Sequence, residues 1–418
     1  MTDKSKSMSI FREIPVTAGF PLKARDIISL FDAKNRPESL EEDFKSYLGV
    51  PYARVAYSGT ASLYIIMESI KMLTAKRTVI IPSYTCPLVP LAIKRAGFNI
   101  EICDITGHDF NYNLGELDIL SSGNNDIAAI LAVHLAGIPI DFDSIDKIAK
   151  RNGSFIIEDC ALSLGASYKD RKTGSLGDFS FFSLCRGKGV TMYEGGVIVT
   201  TQPGHVNLLD ETIKKLVRAD PVSEGIKILE LFGYGIFYRP PTFWFAYKLP
   251  EAFWNAWERP LKAGGEEYNL NFPTHRVSAL RKRIGHSMFL RLGEGIEKQR
   301  KKASYYIEGL KNIRALTVIT ESVYAKAGYP YVTILFNDPS EAARIRKKFF
   351  DLGLGASDIY SLPINEYVFL KNMLPAKVYP NARRIAGSNL TLSTSDFMGK
   401  KDMDTVLDCF VGLKASSQ

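Results

Sequence analysis

Between residues 50 and 200 the chain alternates short apolar runs of β-type residues with longer stretches of helical periodicity. The apolar runs predict strands at Ala53–Tyr57, Thr78–Ile81, Asn99–Asp104, Ala128–His134, Ser154–Asp159, Phe179–Leu184 and Gly196–Thr200. A helix is predicted over Ala61–Leu73, because its apolar residues recur on one face. This alternation predicts an α/β fold, with a mainly parallel sheet and helices on both of its faces.

The alternation of strand and helix patterns ends over residues 201–272. A long helix rich in Arg and Lys is then predicted at about 275–312. A strand at Tyr329–Leu335 and helices at Pro339–Leu352 and Asp402–Leu413 predict a smaller α+β domain. We expect an N-terminal arm over residues 1–25 and a large domain over 26–275, with an insertion near 222–262. The linking helix and the small C-terminal domain take residues 276–418.

Two residues predict the chemistry of the large domain. Asp159 closes the apolar run Phe155-Ile156-Ile157, and Lys188 follows in the glycine-flanked turn Arg186-Gly187-Lys188-Gly189. A lysine amine can form a Schiff base with the aldehyde of pyridoxal 5'-phosphate (PLP). A carboxylate can keep the pyridine nitrogen of that cofactor protonated, so that the ring accepts electrons from the substrate. The pair indicates a PLP site, with Lys188 and Asp159 as catalytic residues.

Small residues near the predicted strand ends are candidates for binding a phosphate. The segment Ser58-Gly59-Thr60-Ala61 follows a strand and opens a helix, where backbone N–H groups attract anions. Ser183 precedes the lysine turn and could donate its hydroxyl to the same phosphate. The alternatives are an ordinary helix cap at Ser58 or Thr60, and a serine that caps a turn.

Two further residues have both a functional and a structural interpretation. Tyr84, in the segment Pro82-Ser83-Tyr84-Thr85-Cys86-Pro87, could cover one face of the pyridine ring or could be a packed aromatic. His134 ends a very apolar run, where a histidine is more often a satisfied core residue than a catalytic base.

Composition limits the classes of protein that remain. The five cysteines form no C-x-x-C pair, so we expect neither a zinc site nor a disulfide framework. No signal peptide and no spanning helix is predicted, so the expected location is the cytoplasm, with the inner face of a membrane as the alternative. The net charge of +8 suits a solvated basic surface, an anionic substrate or an anionic membrane. Nucleic acid is not expected, because the basic residues are dispersed.

The run from Ser58 to Thr200 resembles the sugar aminotransferase family (DegT/StrS type) of fold type I PLP enzymes. The strings that carry the resemblance are SGTASLY, IPSYTCP, VHLAGIPIDFDSI, FIIEDCALSLGASY, GSLGDFSFFSL, the glycine-flanked Lys188 and EGGVIVTT. Weaker similarity continues around His275-Arg276-Val277-Ser278 and in YPNARRIAGSNLTLSTS.

The resemblance implies the PLP-dependent transferase fold and a role for each matching residue. Lys188 corresponds to the Schiff-base lysine, Asp159 to the partner of the pyridinium, and Ser183, Thr60 and Ala61 to phosphate-binding positions. It also implies a homodimer, in which the later HRVS motif reaches the partner's cofactor. The family's dehydratase branch has histidine at the lysine position, so Lys188 favours the aminotransferase branch.

Three cofactor-facing positions differ from the family's usual residues. Leu162 stands where Gln or His contacts the phenolic oxygen, and Cys86 stands where an aromatic often stacks. Thr274 stands where an Asn reaches the phosphate across the dimer. We expect all three residues to line the cofactor site and to indicate an unusual substrate, with altered chemistry as the alternative.

Residues 231–257 contain eleven aromatic residues, including all three tryptophans of the chain. The segment could be a packed lid or a dimer contact. Alternatively, its aromatics and the neighbouring cations could form a surface that contacts a membrane or a lipid.

We therefore expect an aminotransferase that moves an amino group to a keto or aldehyde acceptor, with glutamate as the donor that the resemblance implies. The family's usual acceptor is a nucleotide-linked keto-sugar. One alternative is an aminotransferase or another PLP enzyme that acts on a lipid-linked or acyl substrate. The other alternative is a non-catalytic, membrane-associated protein of the same fold.

Overall fold

A computed structural model describes residues 12–32, 34–245 and 269–415. Its strands, in chain order, are β1 Tyr52–Ala56, β2 Thr78–Pro82, β3 Asn99–Cys103, β4 Ile127–Val133, β5 Phe155–Asp159, β6 Ser167–Tyr168, β7 Arg171–Lys172, β8 Phe179–Ser183, β9 Gly196–Thr200, β10 Leu316–Ile319, β11 Ala325–Lys326, β12 Tyr331–Phe336 and β13 Asn389–Ser393. All seven strands predicted between residues 50 and 200 are present, with ends that differ by at most one residue.

The helices, in chain order, are α1 Ala24–Ile28, α2 Ser39–Leu48, α3 Gly59–Leu73, α4 Leu88–Arg95, α5 Leu114–Ser122, α6 Phe142–Asn152, α7 Val206–Leu216, α8 Pro221–Phe237, α9 Pro240–Phe243, α10 Ala279–Phe289, α11 Leu292–Leu310, α12 Pro339–Leu352, α13 Pro380–Ser388, α14 Lys400–Asp408 and α15 Val411–Ala415. Short 3-10 turns occur at Ser29–Phe31, Leu135–Gly137, Pro203–His205, Ile364–Glu366 and Val368–Leu370. Across the described parts of the chain, none of these helices combines the length and the apolar character that crossing a bilayer would need.

The central sheet has seven strands in the order β1-β9-β8-β5-β4-β2-β3. Strands β3, β2, β4, β5 and β8 are parallel, and β9 runs antiparallel to both of its neighbours. The carboxyl ends of the parallel strands therefore meet at one edge of the sheet, where α/β proteins bind ligands. The predicted α/β fold with a mainly parallel sheet is confirmed.

The C-terminal part has its own antiparallel sheet in the order β10-β12-β13, as the predicted α+β domain requires. A third sheet, β11-β6-β7, pairs Ala325 and Lys326 with residues of the N-terminal part. The largest apolar cluster also includes residues from both parts, such as Ile81 and Ile334. The domain limits at residues 25 and 275 stay a prediction.

Two long predicted helices are interrupted. The helix expected at 275–312 is divided into α10 and α11 by Leu290 and Arg291. The buried guanidinium of Arg291 there binds Asp26 Oδ2 at 2.8 Å and the carbonyl oxygen of Pro21 at 3.3 Å. The helix expected at Asp402–Leu413 begins earlier, at Lys400, and is divided after Asp408.

A buried ion pair attaches α8 to α10. Arg281 is fully buried, and its Nε lies 3.1 Å from Glu224 Oε2 while its Nη2 binds Glu224 Oε1. Its Nη1 donates to the carbonyl oxygens of Met192 and Glu194, just beyond the turn that holds Lys188. Burial alone would raise the pKa of Glu224. The hydrogen bond and the charge of Arg281 have the larger combined effect and hold that pKa below its usual value.

Removing one partner of this ion pair should lower the free energy of unfolding more than removing both partners does. We expect Glu224→Leu to lower the free energy of unfolding by about 3–5 kcal/mol, because the guanidinium of Arg281 stays buried without its carboxylate. The double variant Glu224→Leu/Arg281→Met should be more stable than Glu224→Leu alone. Urea unfolding of the wild type, Glu224→Leu, Arg281→Met and the double variant measures the coupling between the two residues, and additive effects would contradict it.

Candidate active site

The strand ends bring the predicted site residues to one edge of the sheet. Asp159 is the last residue of β5 and Ser183 the last of β8, and these strands are parallel neighbours. Ser58 follows β1, which runs in the same direction because both β1 and β8 pair antiparallel with β9. The convergence follows from strand direction, so residues that are far apart in sequence share one site.

Asp159 is a buried carboxylate with spare capacity to accept hydrogen bonds. Its Oδ1 accepts the backbone N–H of Ala161 at 2.9 Å, and its Oδ2 accepts none from the residues that the structure describes. Burial raises the pKa of Asp159, while the Ala161 N–H group, Lys188 and His134 oppose that shift. A cation that approached Oδ2 would stabilise the charged form.

Lys188 lies half-buried in the turn after β8. The turn is closed by a hydrogen bond from Lys188 N to the carbonyl oxygen of Cys185, 3.2 Å long, and Gly187 has a φ of 79°. The lysine lines a small cavity whose other walls are mainly apolar, formed by Phe20, Ala161, Leu162, Leu164, Ser183, Gly189, Val190, Leu292, Ile296, Gln299, Gly328 and Pro330. Leu162 and Ser183 line this cavity together with the lysine, and their contact with a cofactor stays a prediction.

The first turn of α3 offers N–H groups to an anion. The Ser58 hydroxyl oxygen accepts the N–H of Ala61 at 3.1 Å, so Ser58 is the helix cap and the N–H of Ala61 is already used. The N–H groups of Gly59 and Thr60 have no acceptor among the described residues, as expected at a helix start. A Cβ added to Gly59 would lie 3.3 Å from Ser183 Cβ, so the serine packs against this turn.

Cys86 lies near Asp159 and Lys188 and contacts Tyr360, a residue that the sequence did not identify. Burial raises the pKa of the Cys86 thiol to about 11, and the charges of Asp159 and Lys188 both act on it. Its thiol also contacts Tyr360, whose own pKa is raised well above its usual value by burial and by Cys86 and Asp159 among others. Tyr360 comes from the loop after α12, and nothing in that loop's sequence distinguishes it.

Tyr84 lies in the core rather than over an open cavity. Its ring is fully buried and stacks on Phe110 at 6.4 Å between centroids. Its hydroxyl donates to the carbonyl oxygen of Tyr360 at 2.8 Å and accepts from Tyr360 N and Asn389 Nδ2. These contacts favour the interpretation of Tyr84 as a packed aromatic that orients the Tyr360 loop.

His134 is a satisfied core residue. Its Nε2 lies 3.0 Å from Glu158 Oε2, and its Nδ1 accepts the N–H of Ile140 at 3.4 Å. Glu158 also accepts three backbone N–H groups from the loop at residues 174–177. Cys160 comes within 4.8 Å of both, but the oxygens of Glu158 are already used by these bonds.

Thr274 does not line the cavity of its own chain. Its hydroxyl donates to the carbonyl oxygen of Leu216 at 3.5 Å, and Arg276 beside it is exposed. Both residues lie near a surface pocket between residues 216–221 and 272–275. A role at the cofactor would therefore have to be exercised in a second subunit.

The arm before α1 packs on the lysine turn. Phe20 N donates to the carbonyl oxygens of Lys188 and Gly189, at 3.3 and 3.2 Å. A Cβ added to Gly19 would come within 2.8 Å of both Gly187 Cα and the hydroxyl of Tyr238, so only glycine fits. Two tyrosines of the α8 region hold the arm: Tyr234 donates to the carbonyl of Phe20 and Tyr238 to that of Thr17, both at 3.0 Å.

These residues fit PLP. The open Oδ2 of Asp159 suits a pyridinium N–H, and the amine of Lys188 suits an aldehyde. The unused N–H groups of Gly59 and Thr60, with the Ser183 hydroxyl beside them, suit a phosphate.

The family model described as "DegT/DnrJ/EryC1/StrS aminotransferase family" matches residues 29–217 and 271–411 of this chain. UDP-4-amino-4,6-dideoxy-N-acetyl-beta-L-altrosamine transaminase of Campylobacter jejuni is 24% identical over 374 residues, 89% of this chain and 88% of that protein. GDP-perosamine synthase of Escherichia coli O157:H7 is 32% identical over 166 residues, 40% of this chain and 45% of that protein.

A solved structure shares the fold. The putative sugar aminotransferase Spr1654 from Streptococcus pneumoniae, in its PMP form, superposes with a TM-score of 0.75 at 17% identity. The match covers 97% of this chain and 100% of that one.

Without cofactor, Asp159→Asn should be more stable than the wild type at pH 8, because it removes a buried charge. Burial raises the folded-state pKa of Asp159, so the folded protein binds this proton at higher pH than the unfolded chain. The advantage of Asp159→Asn should therefore shrink as pH falls through that folded-state pKa. Urea unfolding of the apoprotein at several pH values measures it.

The matched control is Asp351→Asn, which changes an exposed aspartate and should leave stability unchanged. An Asp159→Asn apoprotein that is less stable than the wild type at pH 8 would contradict the assigned environment.

Proposed function

The chain belongs to the DegT/DnrJ/EryC1/StrS aminotransferase family, and we propose that it transfers an amino group from glutamate to a nucleotide-linked keto-sugar with PLP held at Lys188. The observation that carries this proposal has three parts. Lys188 and Ser183 line one cavity, the charge of Lys188 acts on the buried Asp159, and the open first turn of α3 packs against Ser183. The named relatives in Campylobacter and Escherichia support a nucleotide-linked sugar as acceptor.

Bound PLP would supply an electron sink for the bond that breaks at the substrate carbon. Lys188 would hold it, and its Nζ is the one amine among the described residues that line the cavity. That amine is therefore the group that would carry a proton to and from the substrate carbon. Asp159 would hold the proton on the ring nitrogen through Oδ2, and burial would keep water from competing for that contact.

Leu162, one of the three altered positions, makes its part of the cavity less polar. Leu162 and its neighbours Leu164, Val190 and Ile296 present hydrocarbon beside Lys188. The raised pKa of Cys86, about 11, keeps its thiol neutral at physiological pH. An acceptor bound here would meet few charged groups besides Lys188 and Asp159.

A lipid-linked or acyl carbonyl is the second candidate acceptor, and the apolar wall around Leu162 favours it. This candidate also suits peripheral contact with a membrane. Of the expected contact segment at 231–257, residues 246–257 lie outside the described residues. Among its described aromatics, Tyr234 and Tyr238 are buried, whereas Phe237 and Phe245 are about half exposed, at 48% and 53%.

Incubation of the holoprotein with glutamate tests the reaction class. Transamination should release one 2-oxoglutarate for each cofactor, whereas elimination or decarboxylation would not. Lys188→Ala should slow this half-reaction at least about a hundredfold, because no other amine lines the described cavity.

Borohydride reduction gives a second readout that does not depend on turnover. The label should be found on the peptide that contains Lys188, and Lys169→Ala, which changes an exposed lysine, should be labelled as the wild type is. A label on another lysine, or no bound PLP, would exclude the proposal. Purified UDP-linked and GDP-linked keto-sugars, compared with an acyl carbonyl compound, then identify the acceptor class.

We also propose a homodimer in which Thr274 and Arg276 complete the partner's site, since neither lines the cavity of its own chain. Lys188→Ala and Arg276→Ala should each be inactive alone. Refolded together in equal amounts, they should recover about one quarter of wild-type activity, because half of the dimers hold one intact site. No recovery, or an active monomer in sedimentation velocity, would contradict the shared site.

A further inference from the structure

The outer face of α8 carries no charge. Its exposed residues are Pro221, Val222, Gly225, Ile226, Leu229, Ile236 and Phe237. Val222, Leu229 and Ile236 are 75%, 73% and 61% exposed, values that large aliphatic side chains rarely reach together on one helix. We call these residues the α8 stripe.

The charged residues of α8 are bound to other side chains rather than exposed on this face. Glu224 is buried against Arg281, and Lys227 pairs with Glu230 and lies over the ring of Tyr193. Near the other end, Tyr234 donates to the backbone of the arm. These bonds fix the rotation of the helix, so the α8 stripe cannot turn inward without breaking a buried ion pair.

The stripe also belongs to a part of the chain that the family model leaves unmatched. The matched ranges end at residue 217 and resume at residue 271, so α8 and α9 lie entirely between them. The shared architecture of the family therefore does not account for this apolar surface.

The dimensions of the stripe suit a flat, extended occupant. From Val222 to Phe237 it runs about 22 Å along the axis, at 1.5 Å per residue. It is one helix wide, so it presents on the order of a few hundred Å², short of the roughly 800 Å² per partner that a stable protein interface buries. Gly225 and Gly233 face open space, and because they have no side chain, nothing protrudes from the helix surface at these positions.

Along the chain, exposed cations lie before and after the α8 stripe. Between residues 206 and 245 the exposed charged residues are Lys214, Lys215, Arg218 and Arg239, with Glu211 as the one anion. Three cations precede the stripe and one follows it. Each exposed Lys or Arg near an anionic bilayer contributes about 1 kcal/mol to binding.

We propose that α8 docks the protein on an anionic phospholipid surface, with the α8 stripe at the level of the headgroups and the flanking cations on the lipid phosphates. The proposal extends the peripheral contact suggested above, and it does not depend on the amino-transfer chemistry. Because α8 also holds the arm on the lysine turn, the docked face lies close to the active site.

Cosedimentation of the full-length holoprotein with vesicles tests the proposal. Vesicles of phosphatidylcholine alone are compared with vesicles that also contain phosphatidylglycerol. The wild type should bind the anionic vesicles roughly tenfold or more tightly than the neutral ones, and added salt should weaken that binding. A wild type that binds neither kind of vesicle would overturn the proposal.

The stripe variant is Ile226→Ser/Leu229→Ser/Ile236→Ser, which removes apolar surface without adding charge. It should lose at least about tenfold in affinity for anionic vesicles. The matched control, Ile119→Ser/Val368→Ser/Val378→Ser, makes the same change at three exposed sites elsewhere and should bind as the wild type does. Equal binding by the two variants would refute the role of the α8 stripe.

Two further measurements separate the remaining outcomes. If the stripe variant sediments with a smaller mass than the wild type in the absence of vesicles, the stripe covers a second copy of the chain and the proposal is wrong. The glutamate half-reaction, measured without vesicles, should be unchanged in the stripe variant. If the wild type itself does not carry out the half-reaction, the proposed function is wrong. The vesicle-binding result would still hold, because it does not depend on amino transfer.

Discussion

A carboxylate held at the buried end of a parallel strand is the constraint on which the rest of the site depends. An isolated charge at this depth is unfavourable, and the site limits that cost with the N–H of Ala161 and the amine of Lys188. Its neighbour Glu158 points to the opposite face of β5, where it accepts three backbone N–H groups and contacts His134. Adjacent acids on one strand thus differ in their contacts. The oxygens of Glu158 bind backbone N–H groups of a loop, whereas Oδ2 of Asp159 has no hydrogen-bond donor among the described residues.

The sheet, and the placing of Asp159 and Ser183 at its strand ends, could be predicted because both depend on local and ordered signals. Apolar runs of strand length locate the strands, and right-handed parallel connections bring their carboxyl ends together. Asp159, Ser183 and Ser58 each lie at such an end, so their proximity follows once the strands are known. The family resemblance is confirmed by the match over residues 29–217 and 271–411.

Other features depend on contacts between distant residues, which local patterns do not contain. Tyr84 and Tyr360 are 276 positions apart, and the hydrogen bonds between them decide that Tyr84 is a core residue. The break between α10 and α11 coincides with an ion pair from Arg291 to Asp26. For α8, helical periodicity shows which residues share a face but not which face is turned inward; Arg281 and the arm decide that.

The close approach of Gly19 to Gly187 has a consequence for how the enzyme is assembled. Residues 17–20 are made early in translation, yet they pack on a turn that does not exist until β8 and β9 have paired. The arm can therefore dock only once that turn has formed, and the docked arm then helps to fix the shape of the lysine turn. The final shape of the lysine turn in this chain thus depends on a contact between two segments that are far apart in the sequence, and it is complete only when both are in place.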